Sequence, residues 1–299
     1  MAEHSMDKKP KIKKVKLKRK IRKIRFSAVL LYLCMLGLVA FTALPLVYMI
    51  CTAFKPLDEL FLFPPRYFVR NPTMKNFHDL LTAVSGTVVP FSRYIFNSLF
   101  TTVVIVFLSV ILSSMGGFAL VKYKPAGSNV IFAVILAALM FSSHVTAIPT
   151  YMVVNYLGIV NTYWALIIPK LASAYNFFLI KQFSEQIPDA FLEAARIDGA
   201  NEFRIFWKVA MPLLRPAWMT LVVFSFVGNW NDYFTPLIYT TSQAMKTLPL
   251  ALSTLYGGSI ARAGVNSAAA LLTTLPTIIL FTAMQGRVMQ TMTYSGIKA

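Results

Sequence analysis

Acidic residues, cysteine and histidine are all scarce in this chain, with 11 Asp and Glu against 29 Lys and Arg, two Cys and three His. Cys34 and Cys51 lie 17 positions apart in one apolar run, about 25 Å along a helix, too far to pair within it. His4, His78 and His144 are scattered, so no Cys/His cluster has metal-ligand spacing. His144, beside Ser142 and Ser143, reads as a hydrogen-bonded packing residue rather than a catalyst. No Gly-Lys pair occurs anywhere, which excludes a G-x-x-x-x-G-K-[ST] phosphate loop and ATP hydrolysis by this polypeptide. A membrane-embedded enzyme needs a convergent catalytic set, and no acidic pair falls inside an apolar run.

What the chain has in abundance is apolar surface. Hydrophobic residues make up 57% of 299 positions and charged residues 13%, with a mean hydropathy of +0.63. These values describe an integral membrane protein rather than a soluble domain. Hydropathy gives six spans: Phe26 to Phe54, Tyr94 to Val121, Asn129 to Val154, Ile159 to Gln182, Leu213 to Pro236 and Asn266 to Met289. Each has at least the roughly 20 residues that a helix needs to cross about 30 Å of hydrocarbon. The expectation is an all-α integral membrane protein with six transmembrane helices.

Lys and Arg set the orientation. With the N-terminus inside, 12 fall in residues 1–25, two at Lys122 and Lys124, five from Lys181 to Arg215, and two at Arg287 and Lys298. The opposite side receives seven, and Lys170 lies within a span. An excess of 21 to seven places both termini in the cytoplasm. The organisation follows: a basic cytoplasmic tail at 1–25, a first transmembrane helix at 26–54, an external loop at 55–93, a permease core at 94–289 and a cytoplasmic tail at 290–299. The basic run from Lys8 to Arg25 abuts a span and lacks interleaved aromatics, so anionic headgroups explain it better than nucleic acid. A cleavable signal peptide is not expected, because the apolar run behind the basic region is too long and no clear small-residue cleavage site ends it.

Between the fourth and fifth spans, residues 183–212 form a polar loop containing EAARIDGANEFRIFWKVAMP from Glu193 to Pro212. Pro188 suits a helix's first turn, Phe191 to Ile197 is short and amphipathic, and Asp198-Gly199 supplies a stop with Gly in a left-handed conformation. Asn201 then caps a second helix bearing Phe203, Phe206 and Val209. A helix-turn-helix results, lying at the cytoplasmic face.

Glu193-Ala194-Ala195, Gly199 four residues later, Val209 and Met211-Pro212 resemble the EAA loop of ATP-binding-cassette importer permeases, with Val and Met in place of the usual Ile and Leu. Trp230 to Tyr239 and Lys246 to Leu252 resemble the carbohydrate-uptake, MalG-like, binding-protein-dependent branch. The resemblance implies a subunit of an importer for a sugar or oligosaccharide in the bacterial cytoplasmic (inner) membrane. Its implied partners are a second permease, two ATPase subunits that hold ATP and Mg, and an extracytoplasmic solute-binding protein. Glu193, Ala194, Ala195, Asp198 and Gly199 would then form the ATPase coupling site. The external loop at 240–265, with Gly257-Gly258 as a flexible tip, would contact the binding protein or be a simple connector. Permeases for other polar solutes share the loop. A secondary transporter would instead show paired repeat halves and need no ATPase.

Lys170 departs from the family pattern. A cation at mid-span costs roughly 2.5 to 3.5 kcal/mol on insertion scales, and its stem is too short to snorkel. Two readings stay open. Either it pairs structurally, with a carbonyl freed by Pro169 or a carboxylate of the partner permease, or it faces the path and neutralises an acidic, uronate-type oligosaccharide. Tyr175, Asn176, Asn229, Trp230, Asn231 and Asp232 are the neighbouring path candidates, because aromatic faces stack on sugars and amides bond hydroxyls. Each serves equally well as an interface anchor or interhelical bond.

Overall fold

The computed structural model describes residues 26–85, 89–254 and 262–296. The chain divides into two units, residues up to Val47 and residues from Tyr48 onward. All described regular structure is helical. The first helix, α1 (Phe26–Ala53), carries a 25-residue apolar stretch that is exposed almost throughout. It is followed by α2 (Leu57–Leu60) and α3 (Lys75–Ser85), then by the 32-residue α4 (Phe91–Lys122). Next come α5 (Ser128–Leu139), α6 (Ser143–Tyr156), α7 (Tyr163–Leu171), α8 (Ala174–Ser184), α9 (Asp189–Ile197) and α10 (Glu202–Ile205). A π-turn at Phe206–Ala210 leads through α11 (Met211–Leu213) into α12 (Arg215–Trp230), α13 (Phe234–Tyr239), α14 (Leu248–Ser253) and α15 (Ala263–Gly296).

Three helices, α1, α4 and α15, are individually long and apolar enough to cross a membrane. The count reaches six if each of three bent pairs is one crossing: α5 with α6 at 111°, α7 with α8 at 41°, and the Glu202–Leu213 segment with α12 at 76°. Several apolar runs that read as single spans are thus interrupted. The reason is local capping chemistry that a hydropathy average passes over. Ser142 starts α6 by accepting the His144 N–H at 3.4 Å, and Ser173 starts α8 by accepting that of Asn176 at 3.3 Å. His144 then packs its ring edge against Phe234, 5.2 Å between centroids. The fifth run divides at Asn231–Tyr233 into α12 and α13.

Residues 55–85 are held together by side-chain bonds to the backbone. Asn76 donates to the carbonyls of Ala53 (2.9 Å) and Lys55 (2.7 Å), tying α3 to the end of α1. Glu59 accepts the N–H groups of Arg70 (3.1 Å) and Asn71 (2.9 Å). Those backbone bonds, the Arg70 one first, hold its carboxyl below the usual carboxylate range.

Helix α4 organises the second unit, packing against α7, α8, α12 and α14. Its inward face is small and polar, with Ser98, Thr101, Thr102, Ser109, Ser113, Ser114 and Gly117 all buried. Near its Lys122 end, a Cβ on Gly116 would lie 2.6 Å from the Phe177 ring, and one on Gly117 would lie 2.9 Å from Ile180 and 3.0 Å from the Lys181 backbone N. Among apolar helices in lipid, such close approach replaces hydrophobic burial as the source of association. Near the Phe91 end, Asn97 is fully buried and donates to the carbonyls of Ala244 and Lys246, both at 2.8 Å, while accepting from the Tyr163 hydroxyl at 2.7 Å. Ser98 accepts the Leu248 N–H at 2.7 Å. Asn161, at φ 63°, bonds Tyr239 O through its N–H (2.8 Å) and accepts from Thr241 and Ser242 N–H with its side chain. The segment after α13 is thereby stitched down.

Replacing Gly117 with Leu is expected to abolish a monodisperse complex on fluorescence-detected gel filtration, because the obstructing atom includes rigid backbone of α8. Gly37→Leu, where nothing lies within 4 Å, should leave the elution profile unchanged.

Candidate functional site

The polar loop folds as its local signals dictate. Pro188 takes the N-cap position of α9, and Gly199 adopts φ +76° after Asp198. Nothing lies within 4 Å of a Cβ built on Gly199, so the constraint there is the left-handed backbone and not space. Asn201 caps α10 by accepting the Arg204 N–H at 2.8 Å. Beyond α10 the helix widens: Met211 N–H reaches back to Phe206 O, and Pro212 has no N–H with which to continue an α-ladder.

Beneath the loop, Leu192, Ile205, Phe206 and Ala210 form a buried cluster with Phe118 of α4, and Ala195 packs half-buried against it. The other face is open. Glu193, Ala194, Asp198 and Gly199 are exposed, together with the apolar Phe191 (54%), Phe203 (67%) and Ile197 (86%). A polar groove of about 600 Å³ runs beside α9, lined by Lys122, Lys124, Glu185 and Glu193 among others.

Two consecutive residues at the end of α4 grip the two loop helices. Lys122, its side chain only 7% exposed, donates to Ile187 O and to the Asp189 carboxylate at 2.8 Å, at the start of α9. Tyr123 donates its hydroxyl to Glu202 in the first turn of α10, and Arg196 of α9 bonds the same carboxylate at 3.0 Å. Both carboxylates sit where a helix dipole favours negative charge. The Lys122 hydrogen bond holds the Asp189 carboxyl below its usual range, and Arg196 followed by Tyr123 does so for Glu202. With both values lowered, the clamp contributes at neutral pH and is lost as pH falls through those lowered values. None of these partnerships was apparent from the sequence, since Lys122 and Asp189 are 67 positions apart.

The other candidates meet at the breaks in the crossing segments. Lys170 closes a salt bridge with Asp232 of its own chain, so the cation's counter-charge is internal. Asp232 also accepts the N–H groups of Phe234 (2.9 Å) and Thr235 (3.2 Å), starting α13. Asn229 lines a small cavity together with Lys170 and Asp232 and donates to Ser225 O at 2.7 Å. Asn176 is buried and donates to the Ser225 hydroxyl at 3.1 Å, linking α8 to α12. Trp230 is buried at 4% exposure, stacks on Phe226 and donates to Thr273 O at 2.8 Å. Asn231 donates to Val227 O (2.9 Å) and to the Thr277 hydroxyl (3.2 Å), joining Trp230 in tying α12 to α15. Tyr175 is exposed on α8, edge-on to Phe224. Gly257 and Gly258 lie outside the described residues, as do the tail at 1–25 and residues 297–299.

Removing one grip should loosen the loop without unfolding the core. Lys122→Met is expected to raise hydrogen exchange over residues 187–197 about threefold, the size of a partly exposed ion pair. Tyr123→Phe should act on residues 200–205 instead. Exchange mass spectrometry on the purified protein reads both, and unchanged protection in both variants would remove the clamp from this account.

Comparison with known proteins identifies the family. Residues 106–294 match the family described as binding-protein-dependent transport system inner membrane component. The chain is 31% identical to the arabinooligosaccharides transport system permease protein AraQ of Halalkalibacterium halodurans, over 92% of this chain and 99% of that protein. It is also 31% identical to the polygalacturonan/rhamnogalacturonan transport system permease protein YtcP of Bacillus subtilis, over 74% of this chain and 75% of that one. In fold it resembles a chain from the crystal structure of a bacterial ABC transporter involved in the import of the acidic polysaccharide alginate, with TM-score 0.76 and 22% identity over 89% of this chain and 97% of the other. With the family match covering most of the chain, this polypeptide belongs to the inner membrane components of binding-protein-dependent transport systems.

Proposed function

We propose that this chain is one of two permease subunits of an ATP-driven importer for a sugar or oligosaccharide, working by alternating access. The observation that carries the reading is the loop from Asp189 to Leu213. Its buried face is fixed to α4 at Phe118, Lys122 and Tyr123, while its open face presents exposed Phe191, Ile197 and Phe203 beside Glu193 and Ala194. An apolar patch rimmed by charge, on a loop held rigidly from behind, suits a protein partner that pushes on it. That partner is an ATPase pair, which would hold ATP and Mg, because this chain lacks a phosphate loop. Glu193 serves as the polar anchor, Ala194 and Ala195 admit close approach, and Asp198-Gly199 make the turn.

The saccharide class is supported by the names of relatives spanning most of this chain, which include arabinooligosaccharide and polygalacturonan/rhamnogalacturonan permeases. The family's dependence on a binding protein supports an extracytoplasmic solute-binding partner, with 240–265 as its contact. The Lys and Arg excess supports both termini in the cytoplasm and a multi-pass place in the bacterial inner membrane.

Gly199→Pro forces φ from +76° to about −65°, and Glu193→Lys reverses the anchor's charge. Each variant is expected to purify with the partner subunits yet lose at least about tenfold in ATP-dependent uptake of arabinotriose into proteoliposomes. Wild-type uptake in both would sink the coupling assignment, and uptake by this chain without an ATPase would sink the importer reading itself.

A further inference from the structure

The ion pair between Lys170 and Asp232 joins two discontinuities. Lys170 is the penultimate residue of α7, immediately before the 41° break into α8, and Asp232 lies in the turn between α12 and α13. The pair is not sealed: the two side chains keep 25% and 16% of their surface exposed. Both line a cavity of about 20 Å³ with Asn229, Thr101 and Thr247. Thr247 is 5% exposed and its hydroxyl has no hydrogen-bond partner. A space of this size accepts about one water molecule, so a sugar ring enters only if the two breaks separate and the ion pair opens.

Opening the pair affects its members unequally. Asp232 keeps the N–H groups of Phe234 and Thr235 on its other oxygen, so its negative charge stays partly compensated. Lys170 has its charge answered by Asp232 alone among the described residues, and an uncompensated cation within a crossing segment is strongly unfavourable. A permeant that brings its own carboxylate removes that penalty, while a neutral one does not. The unpartnered Thr247 hydroxyl lines the same cavity and is available to a sugar hydroxyl, whereas the Thr101 hydroxyl and Asn229 amide N–H already donate to backbone carbonyls of their own helices.

We infer that Lys170 is a carboxylate subsite for a uronate-bearing saccharide, held between transport cycles by the Asp232 carboxylate as an internal stand-in. The inference rests on the saccharide-importer reading and narrows it to an acidic substrate. Lys170 is the specificity-determining group, and Asp232 competes with the permeant for it.

The test uses the complete importer, with its partner permease, ATPases and binding protein, in proteoliposomes supplied with trigalacturonate or arabinotriose. Lys170→Met is expected to lower the ratio of trigalacturonate to arabinotriose uptake at least about tenfold. Lys170→Arg should restore the ratio, which separates loss of charge from loss of folding, and Asp232→Asn should raise it by removing the competitor. Equal loss of both sugars in Lys170→Met and Asp232→Asn, reversed in K170D/D232K, would make the pair a purely structural latch and overturn the inference. Wild-type uptake of arabinotriose without trigalacturonate would also overturn it, leaving the saccharide reading intact. Uptake of neither sugar by the wild type would withdraw that reading too.

Discussion

Among helices immersed in lipid, apolar side chains gain little by touching one another, because the hydrocarbon outside is as apolar as the neighbouring helix. The second unit therefore depends on how closely α4 approaches α8. Gly116 and Gly117 let the Phe177 ring, the Ile180 side chain and the Lys181 backbone N come within a distance that a Cβ at either position would crowd. Polar bonds supplement that contact, from the buried Asn97 and Ser98 near one end of α4 to the partly exposed Lys122 and Tyr123 bonds at the other. Each interhelical bond is worth only about 0.6 kcal/mol on average in such surroundings, so the arrangement relies on many of them acting with the glycine contact.

The length of α4 gives it a second role. Thirty-two residues rise about 48 Å, more than the roughly 30 Å of hydrocarbon, so α4 is long enough to cross the apolar layer with length to spare. One end grips α9 and α10, and the other holds the segment after α13. The loop is consequently fastened to a rod that traverses the unit, and a displacement applied to its open face moves the rod as well as the adjoining chain.

Much of the loop was legible in the sequence because its determinants are local. Gly199 after a short amphipathic segment, and Asn201 before the next, specify a left-handed stop and an N-cap within a few residues. The apolar runs were legible for the same reason, whereas their interruptions were not. A serine or an Ala-Ser step barely lowers a hydropathy average, yet Ser142 and Ser173 each begin a new helix. Long-range partners left no local trace. The need to compensate Lys170 followed from its position in an apolar run, but nothing nearby pointed to Asp232, 62 residues on. Trp230 and Asn231 read either as path residues or as interhelical bonds, and in the structure they bond Thr273 and Thr277 of α15.

The ion pair also closes a mechanical circuit. From Lys170 the chain passes through α8 into the loop, through the loop into α12, and along α12 to Asp232, where the salt bridge returns it to Lys170. Trp218 reinforces the corner by donating to Met211 O at 3.0 Å, so α12 is fixed to the end of the π-turned segment. The 16 residues of α12 form a strut of about 24 Å between the loop and the ion pair. Tilting the loop strains the noncovalent joints of this circuit, the Asn176–Ser225 bond between α8 and α12 and, at the far end of the strut, the Lys170–Asp232 contact. A device that opens a charged pair at the far end of a strut when its near end is pushed links the energy source to the permeant without requiring the two to meet. With the loop as the coupling site and Lys170 as the subsite proposed above, the loop would set when the pair opens, and the charge of the arriving molecule would set how much the opening costs.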